Sequence, residues 1–220
     1  MSPRTVFEHE LTELREDLKK MCFGVEAAYN NLFQAAGAQD KEGVKAVLEL
    51  DSAINDMEKK IEYRCLSLIT RQHPIARDLR TVSASLKVVT DIKRVGDHVV
   101  DMAELLLRMQ MKDLAVISSH MPEMIEVTKK MFCDAVAVFL RRNKEEAEHV
   151  IAGDDKVDEL FNKVKEDLVM LLRTENSDVD DCVDVLMLAK YLEKIGDHAV
   201  NVAEWEIFQE TGDMCNTRLL

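Results

Sequence analysis

The chain has 220 residues, 47% of them hydrophobic but only 5% aromatic, with seven glycines, three prolines and a formal net charge of −13. So few rings and turn formers, against abundant Ala, Val, Leu, Met, Glu and Lys, favour long helices over sheet. The acidic balance argues against a nucleic-acid binder, whose phosphate partner demands a basic face, and against non-specific attachment to an acidic membrane surface.

Cys22, Cys65, Cys133, Cys182 and Cys215 are scattered, odd in number and form no C-x-x-C. That is neither a disulfide framework nor a thiolate zinc site, and it suits a reducing cytosol. Met1 to Leu14 is charged and lacks an apolar signal core, and no run of ~18 apolar residues occurs. The expectation is a cytoplasmic protein that touches a membrane only through partners.

Helical periodicity predicts six helices, near 4–36, 40–71, 74–110, 119–142, 144–173 and 177–209. Gly37 to Asp40 interrupts the first. Arg71-Gln72-His73-Pro74 ends the second, with Pro74 suited to the first turn of the third. A softer break spans Met111 to Pro122, where Asp113 or Ser119 can cap and Pro122 can open the next helix. Asn143 separates the fourth helix from the fifth, and Thr174 to Ser177 forms a polar turn before Asp178. Helices this long point to bundles with short antiparallel connections.

An internal repeat groups the six into two sets of three. Arg94-Val95-Gly96-Asp97-His98 through Glu104 aligns without gaps on Lys194-Ile195-Gly196-Asp197-His198 through Glu204. Upstream, Val47 to Asp51 echoes Val150 to Asp154, three positions out of step. The expected architecture is all-α, two tandem three-helix bundles at 1–112 and 113–220. Units of roughly 100 residues bury little by themselves, so pairing within the chain, or a homodimer, would cover their apolar faces.

The last helix carries the most chemistry. Val179, Val183 and Leu186 form a column that continues through Lys190 into Glu193, Asp197, Asn201 and Glu204. Spacing of i, i+4 and i+8 stacks Glu193, Asp197 and Asn201 on one face, where such donors repel unless a cation sits among them. Mg²⁺, Mn²⁺, Fe or Zn²⁺ would suit such donors. The matching strip of the third helix is Lys93, Asp97, Asp101 and Glu104, where the Lys93 ammonium can neutralise Asp97 without metal. For both strips the alternative is a plain solvated acidic face.

Gly96 and Gly196 sit mid-helix at a cost of roughly 1 kcal/mol each, which suggests close approach of another helix or a ligand. His98 and His198 fall about 100° from the acid strips and read as partner-facing or helix-packing residues. Met121, Met124 and Met131, at helical spacing, read as core. Arg71, Arg77 and Arg80 around Pro74 form a locally basic spot that could receive an anion or acidic partner. A di-iron bundle would need two Glu-x-x-His motifs plus two glutamates; only Glu146 to His149 supplies one.

These motifs resemble the PhoU family of phosphate-uptake regulators over nearly the full length. Asp91 to His98 looks like the first of that family's paired acidic signatures. Leu192 to Glu204 is close to the second, and Arg71 to Arg80 looks like the family's opening of the third helix. The resemblance implies two three-helix bundles and no catalysis. It implies a negative regulator contacting the ATPase subunit of a phosphate ABC transporter and a phosphate-sensing histidine kinase, with metal ions on the acidic signatures of some relatives. Carried over by position, the second site keeps Glu193 and Asp197 with Asn201 alongside. The first keeps Asp97, with Lys93 where an acid is wanted and Asp101 to compensate. The alternative in the same fold is an accessory regulator of a low-affinity phosphate permease.

Overall fold

The computed structural model describes residues 3–109, 112–174 and 178–213, and among these every element is α-helical. In chain order the helices are α1 (Pro3–Gly37), α2 (Lys41–Leu48), α3 (Leu50–Gln72), α4 (Arg77–Arg108), α5 (Leu114–Ile117), α6 (Met121–Arg141), α7 (Lys144–Ala152), α8 (Asp154–Leu171) and α9 (Val179–Thr211).

Local chemistry explains most boundaries. Asp40, Asn143 and Asp178 each accept a bond from a backbone N–H of the first turn, to Gly43 (3.1 Å), Glu146 (3.1 Å) and Asp181 (3.4 Å). Pro122 sits in the first turn of α6, as its sequence position predicts. Three expectations need correction. The helix predicted at 40–71 bends at Glu49, whose N–H reaches back to the Ala46 and Val47 carbonyls. The one predicted at 144–173 bends at Gly153, whose N–H is shared by carbonyls of the preceding turn. Pro74 does not open α4: His73 and Ala76 take left-handed φ values of 45° and 48°, so the helix starts at Arg77. A short helix, α5, also appears in the softer break, capped by Asp113. Residues 111, 175–177 and Cys215 lie outside the described residues; the other four cysteines are unpaired.

The helices form two groups. In the first, α1 packs on α2, α3 and α4; in the second, α6 packs on α7, α8 and α9. Buried Asp17 fastens α1 to α3 through Lys60 (2.8 Å) and Arg64 (3.1 Å). Asp167 of α8 receives Ser118 (2.6 Å) and faces His120 Nδ1 at 2.9 Å. Leu14, Leu18, Met21 and Leu32 of α1 are fully buried, as are Met102 and Leu106 of α4 and Met121 and Met124 of α6.

The groups meet along α4 and α9, which run antiparallel. Arg77 bonds Glu210 (2.7 Å), Asp91 faces His198 (2.8 Å), Arg108 pairs with Asp184 (3.0 Å), and Lys112 reaches Asp178 (3.1 Å), so one chain number rises as the other falls. Buried Tyr29 adds a second tie, donating to the Ile125 carbonyl of α6 at 2.7 Å. No described helix is long and apolar enough to cross a membrane.

Candidate functional site

The repeated glycines lie where two helices touch. A Cβ on Gly96 would stand 3.0 Å from Ile54 Cδ1, and one on Gly196 would stand 3.1 Å from Asp154 Oδ1 and 3.4 Å from Val157 Cγ1. Glycine therefore lets α3 approach α4, and α8 approach α9, at the level of each acid strip. The bend at Gly153 starts α8 at Asp154 and brings that carboxylate against α9.

On α9, Glu193 Oε1 accepts from Lys190 at 2.6 Å, while its Oε2 is buried without a hydrogen bond. Lys194 lies 3.4 Å from that oxygen and also pairs with Asp197. Asp154 Oδ1 is likewise buried and unpartnered. Burial first, then the charges of Asp158, Asp197, Glu193 and Asp155, raise the Asp154 carboxyl to about 6. Asp154, Asp158, Glu193 and Asp197 thus share one electronegative zone around Gly196.

Asp154 Oδ1, which has no partner, and Glu193 Oε2, which has only the Lys194 charge at 3.4 Å, fit a hard or borderline cation. Among the described residues no three His, Cys, Asp or Glu side chains already converge as a metal cluster, so Lys190 and Lys194 would have to yield. The residues that would hold a cation are Glu193, Asp197 and Asp154. It would supply charge neutralisation between α8 and α9.

The first strip is different. Lys93 Nζ lies 2.7 Å from the Asp97 carboxylate and Arg94 lies 3.4 Å from it, so its charge is already met. Asp101 turns toward His98 Nδ1 at 3.6 Å. Across the groove Asn55 donates to Asp51 at 2.7 Å. Asp97 and Asp51 therefore already have partners, whereas Asp101 faces His98 beyond hydrogen-bond distance.

Asn201 leaves the strip on which its spacing placed it, donating to Asp91 Oδ1 of α4 at 3.2 Å. Each four-residue step overshoots a full turn by about 40°, so by the third member the strip has rotated toward α4. There Asn201 joins His198, whose ring centroid lies 5.6 Å from that of His98; His98 in turn lies 5.3 Å from Tyr191. Both histidines pack between the helix groups, the role their offset predicts.

His98 Nδ1 is buried without a hydrogen bond. Burial, then the neighbouring His198, push its pKa down. The unfolded chain therefore takes up this proton first, and stability falls as pH drops below about 6.5. A His98→Gln variant should lose less stability than wild type between pH 7.5 and 5.5 in urea melts. The comparison must be between the two proteins, because Asp154 titrates nearby with the opposite sign; identical pH slopes would refute the assignment.

Of the basic trio, Arg77 bonds Glu210 and Arg80 Nε reaches the Gln209 carbonyl at 3.4 Å, both on α9. Arg71, on the last turn of α3, makes no such bond among the described residues. Glu146 pairs with Arg141 at 3.3 Å and lines an open groove with His149, where the second Glu-x-x-His of a di-iron site is missing. Sequence reasoning overlooked Asp154 and Asp158 as donors. The signal was present in the Val47–Asp51 and Val150–Asp154 echo, which ends on an aspartate in both copies.

Comparison with known proteins decides the context. The PhoU domain model matches residues 18–106 and again 121–205. The chain belongs to the PhoU family. It is 34% identical over 95% of its length to the phosphate-specific transport system accessory protein PhoU homolog of Clostridium acetobutylicum, covering 96% of that protein. It is 30% identical over 94% of its length to PhoU homolog 1 of Thermotoga maritima, covering 89%. Two crystal structures share the fold at a TM-score of 0.88. One is PhoU from Pseudomonas aeruginosa (27% identity, 94% of this chain and all of that one). The other is the phosphate transport system regulatory protein PhoU from Streptococcus pneumoniae (23% identity, 96% and 99%). PhoU proteins are regulatory and non-catalytic, and membership gives this chain a role in phosphate regulation rather than an enzymatic one.

Proposed function

We propose that this protein is a cytoplasmic negative regulator of phosphate uptake and phosphate-starvation signalling. It acts as an adaptor between the ATPase subunit of a phosphate ABC transporter and a phosphate-sensing histidine kinase. The observation that carries this reading is the end-to-end match to a protein named as an accessory of the phosphate-specific transport system. A described chain without a membrane-crossing helix agrees with membrane contact made through those partners.

In this reading 1–112 and 113–220 are duplicated three-helix units joined along α4 and α9. The double match of one domain model supports the duplication. A cation at Glu193, Asp197 and Asp154 would stiffen the second unit, and a homodimer would cover remaining apolar surface such as Val179, Val183 and Met187. The related role beside a low-affinity permease predicts different partners. Disrupting the gene should derepress phosphate-starvation genes in high phosphate, and purified protein should retain the ATPase subunit and the kinase. An unchanged transcriptional response would sink the adaptor reading; retention of a single-gene permease instead would favour the alternative.

A further inference from the structure

On a chain of net charge −13, cations from three distant stretches collect at the C-terminal end of α6. Arg141 ends that helix and Arg142 caps it at φ 61°. Arg15 and Lys19 project one turn apart from α1, and Arg77 opens α4. Arg15, Lys19 and Arg141, with Glu16, Ala137 and Leu140, line a cleft of about 340 Å³ between α1 and α6. Beside it, Arg142 Nη2 donates to Thr81 at 2.8 Å, while its Nε is buried without a partner. Burial, then the charges of Arg15 and Arg77, lower the Arg142 pKa, so the three guanidiniums are within electrostatic reach of one another.

The acids nearby do not balance them. Glu210 is taken by Arg77 and Glu146 by Arg141. Glu206 is buried, and its carboxyl is raised to about 7, which halves its charge near neutrality. Glu16 remains, against Arg15 and Lys19, neither of which has an acidic partner among the described residues. Capping explains Arg141, whose Nε meets the Ala137 carbonyl at 3.3 Å. It does not explain two further cations brought in by α1.

We propose that this cleft binds a phosphoryl oxyanion, as inorganic phosphate or as a diphosphate group. Two guanidiniums and an ammonium lining one cleft, with the Arg142 guanidinium beside it, match a multivalent oxyanion better than a single carboxylate. The volume admits more than one phosphate. This site is separate from the adaptor role and stands or falls without it.

The test is calorimetric titration of orthophosphate and of pyrophosphate into the full chain, with ionic strength held constant by chloride. One saturable site is expected, with affinity reduced about tenfold in Arg15→Gln and in Lys19→Gln while their melting curves stay that of wild type. Arg142→Gln should bind more weakly again, with Thr81→Ala as the control for loss of their shared bond. Tighter orthophosphate marks the free ion as ligand, and tighter pyrophosphate marks a larger phosphate group. Absence of saturable heat with both anions overturns the proposal, as does affinity unchanged in both α1 variants.

Discussion

Replacing Glu206 by glutamine should raise the unfolding free energy at pH 8 by about 2 kcal/mol, with a much smaller gain at pH 5. Glu206 is fully buried on α9; its Oε1 has no partner and its Oε2 accepts from Gln209, whose amide also donates to the Phe139 carbonyl at 3.1 Å. Burial raises its carboxyl to about 7, against the pull of Gln209, Arg142 and Arg77. A carboxyl raised on folding holds its proton longer in the folded chain. The penalty is therefore absent below about pH 4, grows as the unfolded group ionises, and is complete above pH 7. Glutamine keeps the shape and the bond from Gln209 and removes the charge. Urea melts at the two pH values measure the difference, and an equal gain at both would mean that Glu206 is neutralised by some other route.

Adding Mn²⁺ or Zn²⁺ at about a hundred times its dissociation constant should stabilise the wild-type protein by about 2.7 kcal/mol. For a chain of this size that raises the melting temperature by roughly 5–10 °C. Asp154→Asn should melt higher than wild type in metal-free buffer at pH 7.5, by about 1–2 kcal/mol, since its carboxyl is raised to about 6 and the penalty is in full force above that pH. The same variant should lose the cation response. Glu193→Gln should lose it too, whereas Asp97→Asn, whose carboxylate is met by Lys93, should keep it. A cation shift that survives in both Asp154→Asn and Glu193→Gln would remove the α8–α9 zone as a binding site. The opposite signs of the Asp154→Asn effects separate a binding role from a purely structural one.

Much of this molecule is written in local pattern. The helical class follows from composition and 3.6-residue periodicity, and the caps at Asp40, Asn143 and Asp178 follow from residue type. The contrast between the strips was also legible, because Lys93 and Glu193 occupy the same place beside otherwise matched Gly-Asp-His runs. What Asp154 does was not, although it closes a recognisable echo. Its importance depends on the bend at Gly153 and on the bare backbone of Gly196, which together aim it at α9.

Composition and periodicity alone settled that the chain is helical, the place of His98 and His198 in the repeat that they leave the acid strips, and Glu193 against Lys93 that the later strip is the richer in oxygen donors. Only the tertiary structure decided what each residue meets. His198 and Asn201 share Asp91 across more than a hundred residues of chain, and Arg15 comes within electrostatic reach of Arg142. Those encounters are set by the antiparallel seating of α4 on α9 and by α1 lying against both helix groups. Helical periodicity reports which face of a helix is apolar, but not which distant helix will cover it or at what height.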